Sequence, residues 1–485
     1  MTGAVLGIDV GTSSVKVVKV GADGAVQARA SAAHGTSYPA PLAQEQDPED
    51  WVAGATAAVW WAGEASSLAD VEAVAVTGHM SALVLTDGEG RAVRRAILLS
   101  DGRAEGALSE LAPVAERVRA ATGSVPAAVF FLPKLLWVRA SEPDTYGRAR
   151  RVMGAKDYVR AALTGEWASD ASEMGNSLCL DLASRQWLPE VLEAAGVPAS
   201  LWPPLLEARA VAGRLRPEVA ARLGLRAGLP VVTGAADVAA TLLGAGVRDG
   251  RAVLVGSGSS LPVARLLAGP RPLPGITWHP AAGLGLYAMA SVLGAGASFS
   301  WWAGLLGTDP AGLEALGAGA RGGADAPVWL PYLVGRGTPD FAPGARAALV
   351  GLSAGHGRED VALGVYRGVA CEVGGAMAGL VAGQAAPEAL VLAGGGASRL
   401  LAREIAAFTG LPVDTVAETH ASAYGAAMLA ADGVWGGEAS AAWRLPRRRV
   451  AGGPASGDGH ARWRRRYEGA VERLRDGWRD EEGAR

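Results

Sequence analysis

Residues 4–18 read "AVLGIDVGTSSVKVV", and residues 252–264 read "AVLVGSGSSLPVA". Each runs from a β-branched apolar strand into a turn of Gly with Ser or Thr, then back into apolar residues. The echo predicts two related half-molecules that open with the same hairpin. The break between them falls at "GAGVRDG" (244–250). That puts an N-terminal half at 1–247 and a C-terminal half at 248–440, with residues 441–485 as a helical tail.

Outward from these hairpins, β-branched runs recur at "VEAVAVTG" (71–78), "LPVVTG" (229–234) and "ALVLAGGG" (389–396), each ending near glycine. Amphipathic helix-length segments lie between them, including Trp51 to Ala65 and Val361 to Val381. Strands alternating with helices predict an α/β fold. The helix at Trp51 has a start signal in "EQDPEDW": Asp47 caps, Pro48 takes the first position, and Glu49 and Asp50 sit at the positive end of the dipole. "ASAYGAAMLAA" (421–431) reads as a helix whose Gly425 and Ala426 allow close packing. The tail from Ala461 has mixed charges at helical spacing and is expected to be a solvated surface helix.

The chain has 485 residues, 50% hydrophobic and 19% charged, enough for a large core and more than one domain. A net charge of -3 supplies no basic field for nucleic acid or anionic lipid. A small-molecule partner is the expectation. The 2 cysteines, Cys179 and Cys371, share no metal-ligand spacing, which disfavours a disulfide framework or zinc site. The start "MTGAVLGIDVG" has no basic n-region or long apolar h-region and reads as soluble and cytoplasmic.

A turn of Gly, Thr and Ser after a buried strand can offer backbone N–H groups and hydroxyls to an anion. "DVGTSS" (9–14) and "GSGSS" (256–260) both have this chemistry, and as a pair they look like opposing phosphate clamps. No G-x-x-x-x-G-K-[ST] loop occurs, which disfavours a P-loop NTPase. "GGGAS" (394–398) turns from a strand into a helix and lacks the full dinucleotide pattern.

Taken in order, "GIDVGTSSVK", "EQDPEDW", "TGHMSALVLTDGEGR", "AILLSDGR", "PKLLW", "AKDYVRAALTGE", "TGAADVAATLLGAGV", "PYLVGRGTPDFAPGARAALVGL", "LAGGGAS" and "SAYGAAMLAA" resemble the FGGY carbohydrate kinase family. The pattern is nearest to that family's xylulokinases, within the actin, hexokinase and heat-shock-chaperone superfamily. The resemblance implies two ribonuclease-H-like (actin-like ATPase) domains with ATP and sugar in a central cleft. It implies that Gly11, Thr12, Ser13 and Lys16 face the ATP phosphates. Gly258, Ser259 and Ser260 would form the second clamp, and Gly394, Gly395, Gly396 and Ala397 would border the adenosine. Asp9 would lie near Mg2+, a cation that keeps its waters while bridging a carboxylate and phosphates. "SFSWW" (298–302) is a further candidate flank of the nucleotide, or a buried helix face. A homodimer is expected on the same ground.

Phosphoryl transfer needs the acceptor hydroxyl positioned, its proton taken and phosphate charge neutralised. Asp237, alone in the apolar run "TGAADVAATLLGAG", matches the family's general base; the competing reading is a cap for the helix that follows. On the acceptor side the resemblance points to His79, Met80, Ser81, Asp101 and Asp237. Here the chain departs from the xylulokinase pattern. "GQMHG" is "GHMSA", so a sugar-contacting histidine becomes Ser81 and a glutamine becomes His79. "LWNDGR" is "LLSDGR", with Leu99 and Ser100 in place of the aromatic and the amide while Asp101 and Arg103 stay, and the Asn after the base is Val238. "GERTP" has become "GRGTP" (335–339). The expected function is ATP-dependent phosphorylation of a sugar, a ketopentose such as xylulose. The alternatives are a kinase for ribulose, erythritol, glycerol or gluconate, or a non-catalytic sensor on the same fold.

Overall fold

A computed structural model describes the chain apart from residues 1–2, 272, 322, 452–457 and 484–485. Its first sheet is organised around β1 (Ala4–Val10), buried along its whole length. A strand covered on both faces needs a continuous apolar run, which "AVLGIDV" supplies with one exception, Asp9. On one side β1 pairs antiparallel with β2 (Ser14–Gly21), and β2 with β3 (Val26–Ala33). On the other side β1 runs parallel to β4 (Val71–Gly78). Beyond it, β5 (Val211–Arg214) closes the edge against β6 (Pro230–Val232), which is parallel to β4.

The second sheet repeats this plan. β7 (Ala252–Gly256) pairs antiparallel with β8 (Leu261–Leu267). β8 in turn pairs with β10 (Leu286–Val292), and β9 (Thr277–Pro280) lies outside β10. The parallel neighbours are β11 (Ala389–Ala393) and β12 (Val413–Val416), with β13 (Arg447–Ala451) at the edge. The echo between residues 4–18 and 252–264 is thus a shared topology: a central strand, its hairpin to one side and parallel strands to the other. No helix among the described residues is long and apolar enough to cross a membrane.

Helix α1 (Pro48–Ala65) starts as its sequence predicts: the Asp47 side chain accepts from the Glu49 N–H at 3.0 Å. Its buried stripe of Trp51, Ala55, Ala58, Val59 and Ala62 joins the core of the first sheet. Two helices connect the halves. α3 (Asp237–Gly244) follows β6, and α7 (Ala421–Trp435) follows β12 yet packs over the first sheet. A Cβ on Gly425 would run into the carbonyl of Ala240, and one on Gly244 into that of Ala421. Glycine therefore lets the two backbones touch. Around this crossing one apolar cluster takes Val5 and Val18 from the first sheet and Leu254 and Ala264 from the second.

The tail differs from expectation. β13 lies within 441–485, so that segment is not wholly helical. Helix α8 (Asp458–Gly483) is not simply solvated: Trp463, Tyr467, Ala470, Val471 and Trp478 are buried in the core of the second half. Their spacing is a stripe along one helix face, flanked by Arg464, whose guanidinium donates to Phe408 O, and by Arg466, which donates to Ala324 O and Ala326 O. Arg336 of "GRGTP" joins an ion-pair network that α8 also touches. Arg336 pairs with Asp340 at 3.3 Å and with Glu372 at 3.4 Å, and Arg475 of α8 reaches Asp340 at 3.3 Å. The hydroxyls of Tyr332 and Tyr467 both donate to Glu372.

Candidate active site

The turn between β1 and β2 has its carbonyls tied back. Gly11 O meets the His34 ring at 3.0 Å, Thr12 O accepts from Gln46 at 2.6 Å, and Ser13 O accepts from the His34 N–H at 3.1 Å. No partner among the described residues takes the N–H groups or hydroxyls of Thr12 and Ser13. A turn with its acceptors engaged and its donors free is suited to an anion. Lys16, opposite Asp9 in the hairpin register, adds an ammonium 3.8 Å from Asp9 Oδ2.

The turn after β7 is built alike. Ser257 N–H donates to Ala393 O at 2.7 Å and Ser257 O accepts from Gly396 N–H at 3.0 Å. The 256–260 and 394–397 turns therefore touch at the ends of the paired strands β7 and β11. Gly394 has φ of 121°, and a side chain there would meet the Ser257 backbone. On the other flank Ser259 O accepts from Ala297 N–H at 2.9 Å, and Ser260 Oγ from Gly294 N–H at 3.3 Å. This seats the turn on the first residues of α4 (Ala295–Leu305), the positive end of that helix. In α4, Ser298 and Phe299 are buried while Trp301 is 46% exposed and stacks on Trp329 with ring centroids 5.9 Å apart.

Asp9 and Asp237 belong to one electrostatic unit. Asp9 is buried near the end of β1; its Oδ2 accepts from Ser422 Oγ of α7 at 2.5 Å, and its buried Oδ1 has no hydrogen-bond partner. Asp237 is the first residue of α3, whose cap position is Ala236, so the capping reading fails in that form. Its Oδ1 accepts from Val238 N–H at 2.8 Å, and no described group binds Oδ2. Burial first, and then the Asp9 charge, push the Asp237 carboxyl up to about 7. A pair of neighbouring carboxylates, with Asp9 Oδ1 buried and unpartnered, fits a divalent cation held jointly with substrate phosphates. No cluster of three or more His, Cys, Asp or Glu side chains suited to a metal occurs among the described residues.

The other residues expected on the acceptor side divide. Met80 is buried, and its sulfur accepts from the hydroxyl of Tyr287 on β10 at 3.7 Å, so a residue of the second half reaches it. Ser81 is fully buried with φ of 60° and its Oγ unpartnered. His79 holds Val10 O through Nδ1 at 2.8 Å and packs edge-on against Trp51, and burial lowers it to about 4, so it is neutral at pH 7. Its Nδ1 thus serves the fold beneath the β1–β2 turn. Asp101 has both oxygens engaged: Gln44 N–H donates to Oδ2 at 2.8 Å, and Arg103 grips Oδ1 and Oδ2 at 3.0 and 2.7 Å.

Several residues around this site carry no local signature. Ser422, Ser172, Glu173 and Tyr287 become visible only through what they touch. Lys134 had one, a single cation inside the apolar run "FFLPKLLWV". It is fully buried and donates to Ser81 O at 2.7 Å and Val129 O at 3.0 Å.

Residues 4–244 match the N-terminal domain of the FGGY family of carbohydrate kinases, and residues 285–433 match its C-terminal domain. The chain belongs to the FGGY family of carbohydrate kinases. This FGGY kinase is 35% identical over 398 residues to the xylulose kinase of Escherichia coli, covering 81% of this chain and 82% of that one. The structure of the xylulose kinase from Rhodospirillum rubrum is 30% identical, with a TM-score of 0.81 over 98% of this chain and 100% of that one. A glycerol kinase of Plasmodium falciparum solved with ADP shares 17% identity and a TM-score of 0.79 over 97% and 98% of the two chains, a likeness of fold alone. The FGGY chain is a sugar kinase with the α/β, two-domain actin-like fold.

Proposed function

We propose that this FGGY kinase transfers the terminal phosphate of ATP to a hydroxyl of a ketopentose, xylulose, with Asp237 as general base. The observation that carries the reading is Asp237 itself, with one oxygen held by Val238 N–H, the other free, and a carboxyl near 7. Held at the head of α3, the free oxygen accepts the acceptor's proton as the bond to phosphorus forms. The unpartnered N–H groups and hydroxyls of Thr12 and Ser13, with Lys16, receive phosphate oxygens from the first half. Gly258, Ser259 and Ser260 do so from the second, and the 394–397 turn borders the adenosine. Asp9, with Oδ1 free and Oδ2 held by Ser422, is the residue that would hold Mg2+, which when bound would neutralise phosphate charge. His79, Met80, Ser81 and Asp101 form the acceptor side.

The substrate reading rests on the relatives named xylulose kinase and on the nucleotide-side turns that this chain keeps. A cytoplasmic setting suits the two cysteines, both buried and unpaired. A homodimer rests on the resemblance and is read by light scattering.

The test is coupled ADP release across ketoses, aldoses and polyols, beside Asp237→Asn. Xylulose is expected to give the highest kcat/KM, and the variant to lose about 100- to 10,000-fold in kcat. Full sugar-dependent turnover in Asp237→Asn removes the base. A polyol or another sugar that outruns xylulose moves the substrate, with Ser81, Leu99, Ser100 and Val238 as the positions that changed it. No acceptor-dependent release at all would favour the sensor.

A further inference from the structure

The short helix α2 (Ala171–Met174) reaches both sides of the acceptor site. From one residue, Ser172, the hydroxyl accepts the Ala236 N–H at 2.8 Å, immediately before Asp237. The same hydroxyl donates to Asp170 Oδ2 at 2.5 Å. Asp170 is anchored in turn: its Oδ1 lies 3.0 Å from Lys156 Nζ, and Lys156 also pairs with Asp157 at 2.8 Å. Lys156, Asp157, Asp170 and Ser172 are all buried, so the chain of contacts has little freedom to relax. From the next residue, Glu173, Oε1 accepts the Ser81 N–H at 3.2 Å while Oε2 has no partner. Lys134 holds the carbonyl of the same Ser81 at 2.7 Å. Ser81 is a non-glycine residue in the left-handed region, a conformation that persists only where the surroundings hold it.

We propose that Ser172 and Glu173 are positioning residues that fix the base and the acceptor turn relative to one another: Ser172 sets Asp237 through Ala236, and Glu173 sets Ser81. The two side chains are adjacent on one rigid element, so the distance between base and acceptor is set by α2 and not by the loops on either side. In-line transfer tolerates little misplacement; a shift of about 1 Å costs on the order of 100-fold in rate. The two contacts separate by effect. Loss of the Ser172 contact displaces the base and lowers kcat. Loss of the Glu173 contact releases the acceptor turn and raises KM. Burial, with Asp157, Asp170 and Asp237 nearby, raises the Glu173 carboxyl well above its usual range. A glutamine, neutral and of the same shape, therefore replaces it well, because its carbonyl still accepts from Ser81.

This inference rests on Asp237 as the base, and the experiment keeps the two apart. Xylulose-dependent ADP release is measured for Ser172→Ala, Ser172→Cys, Glu173→Ala, Glu173→Gln and Asp237→Asn, each with a thermal melt. Ser172→Ala is expected to lower kcat by about 10- to 100-fold with KM within roughly twofold. Ser172→Cys, which keeps the volume but is a weak acceptor, loses kcat in the same direction and keeps the comparison open where the alanine variant does not fold. Glu173→Ala raises KM by about tenfold with kcat little changed, and Glu173→Gln restores KM. Folded Ser172 variants with native kcat, beside an inactive Asp237→Asn, overturn the positioning role and leave the base standing. Full turnover in Asp237→Asn overturns the base, and the positioning role with it. A KM rise in Glu173→Ala that glutamine does not repair overturns the Glu173 assignment.

Discussion

As the proposed base, Asp237 meets two opposed demands: proton abstraction would require its carboxylate, and the fold favours its acid. Its carboxyl goes from an ordinary 3.8 to about 7 on folding, so the fold binds the proton more tightly than the unfolded chain does. Stability from this group is complete below about pH 4 and is lost as pH rises through 7. Activity moves the other way. The acid limb of kcat/KM for the free enzyme is expected near pH 7, and Asp237→Asn is expected to be inactive. That variant should also be more stable than the native chain at pH 8, by about 1–3 kcal/mol, with little difference at pH 4. Thermal melts at both values check this, and an equal Tm difference at the two would remove desolvation as the cause. Asp237 stood out in the sequence because a carboxylate inside an apolar run is anomalous there, while Asp9 drew attention only through the resemblance of "GIDVGTSSVK" to the family. Ser422, more than four hundred residues from Asp9 in the chain, has no such mark, and a buried serine in "THASAYG" looks like any other.

At the scale of elements, the α3–α7 crossing joins site and fold. α7 brings Ser422 to Asp9, α3 begins with Asp237, and the two touch where Gly425 meets Ala240. Gly425→Ala adds a methyl group with no space to occupy and is expected to cost about 1–3 kcal/mol. Urea unfolding measures it, and an unchanged midpoint would mean that the helices part at little cost. "ASAYGAAMLAA" announced a small-residue helix, while its partner was set by the fold. The tail was read less well. Charge at helical spacing suggested a solvated face, but Trp463, Tyr467 and Trp478 share one side of α8 and pack on the second half. Mixed charge describes the outer face of a docked helix and of a free one equally well.

For the whole molecule, two sheets of the same plan are joined by a shared cluster and by residues 246–252. Gly246 has φ of 69°, Asp249 pairs with Arg251 at 3.1 Å, and Arg447 of β13 donates to Ala245 O at 2.9 Å. Water competes with sugar for the phosphoryl group, so closure around substrate is expected with its hinge in this segment. Small-angle scattering should show a smaller radius of gyration with xylulose and a nonhydrolysable ATP analogue together than with neither; no change counts against the hinge. The sequence by itself determined the repeat of two hairpins, the alternation of strands and helices, the glycine and hydroxyl turns, and the anomalous carboxylate of Asp237. Those are local: they follow from periodicity, backbone freedom and side-chain chemistry within about twenty residues. Only the tertiary structure decided that α7 packs on the other half, that Ser172 reaches Ala236 and Glu173 reaches Ser81, and that α8 is part of a core. These are contacts between segments far apart in the chain, where burial and geometry choose the partner and the identity of the residue does not.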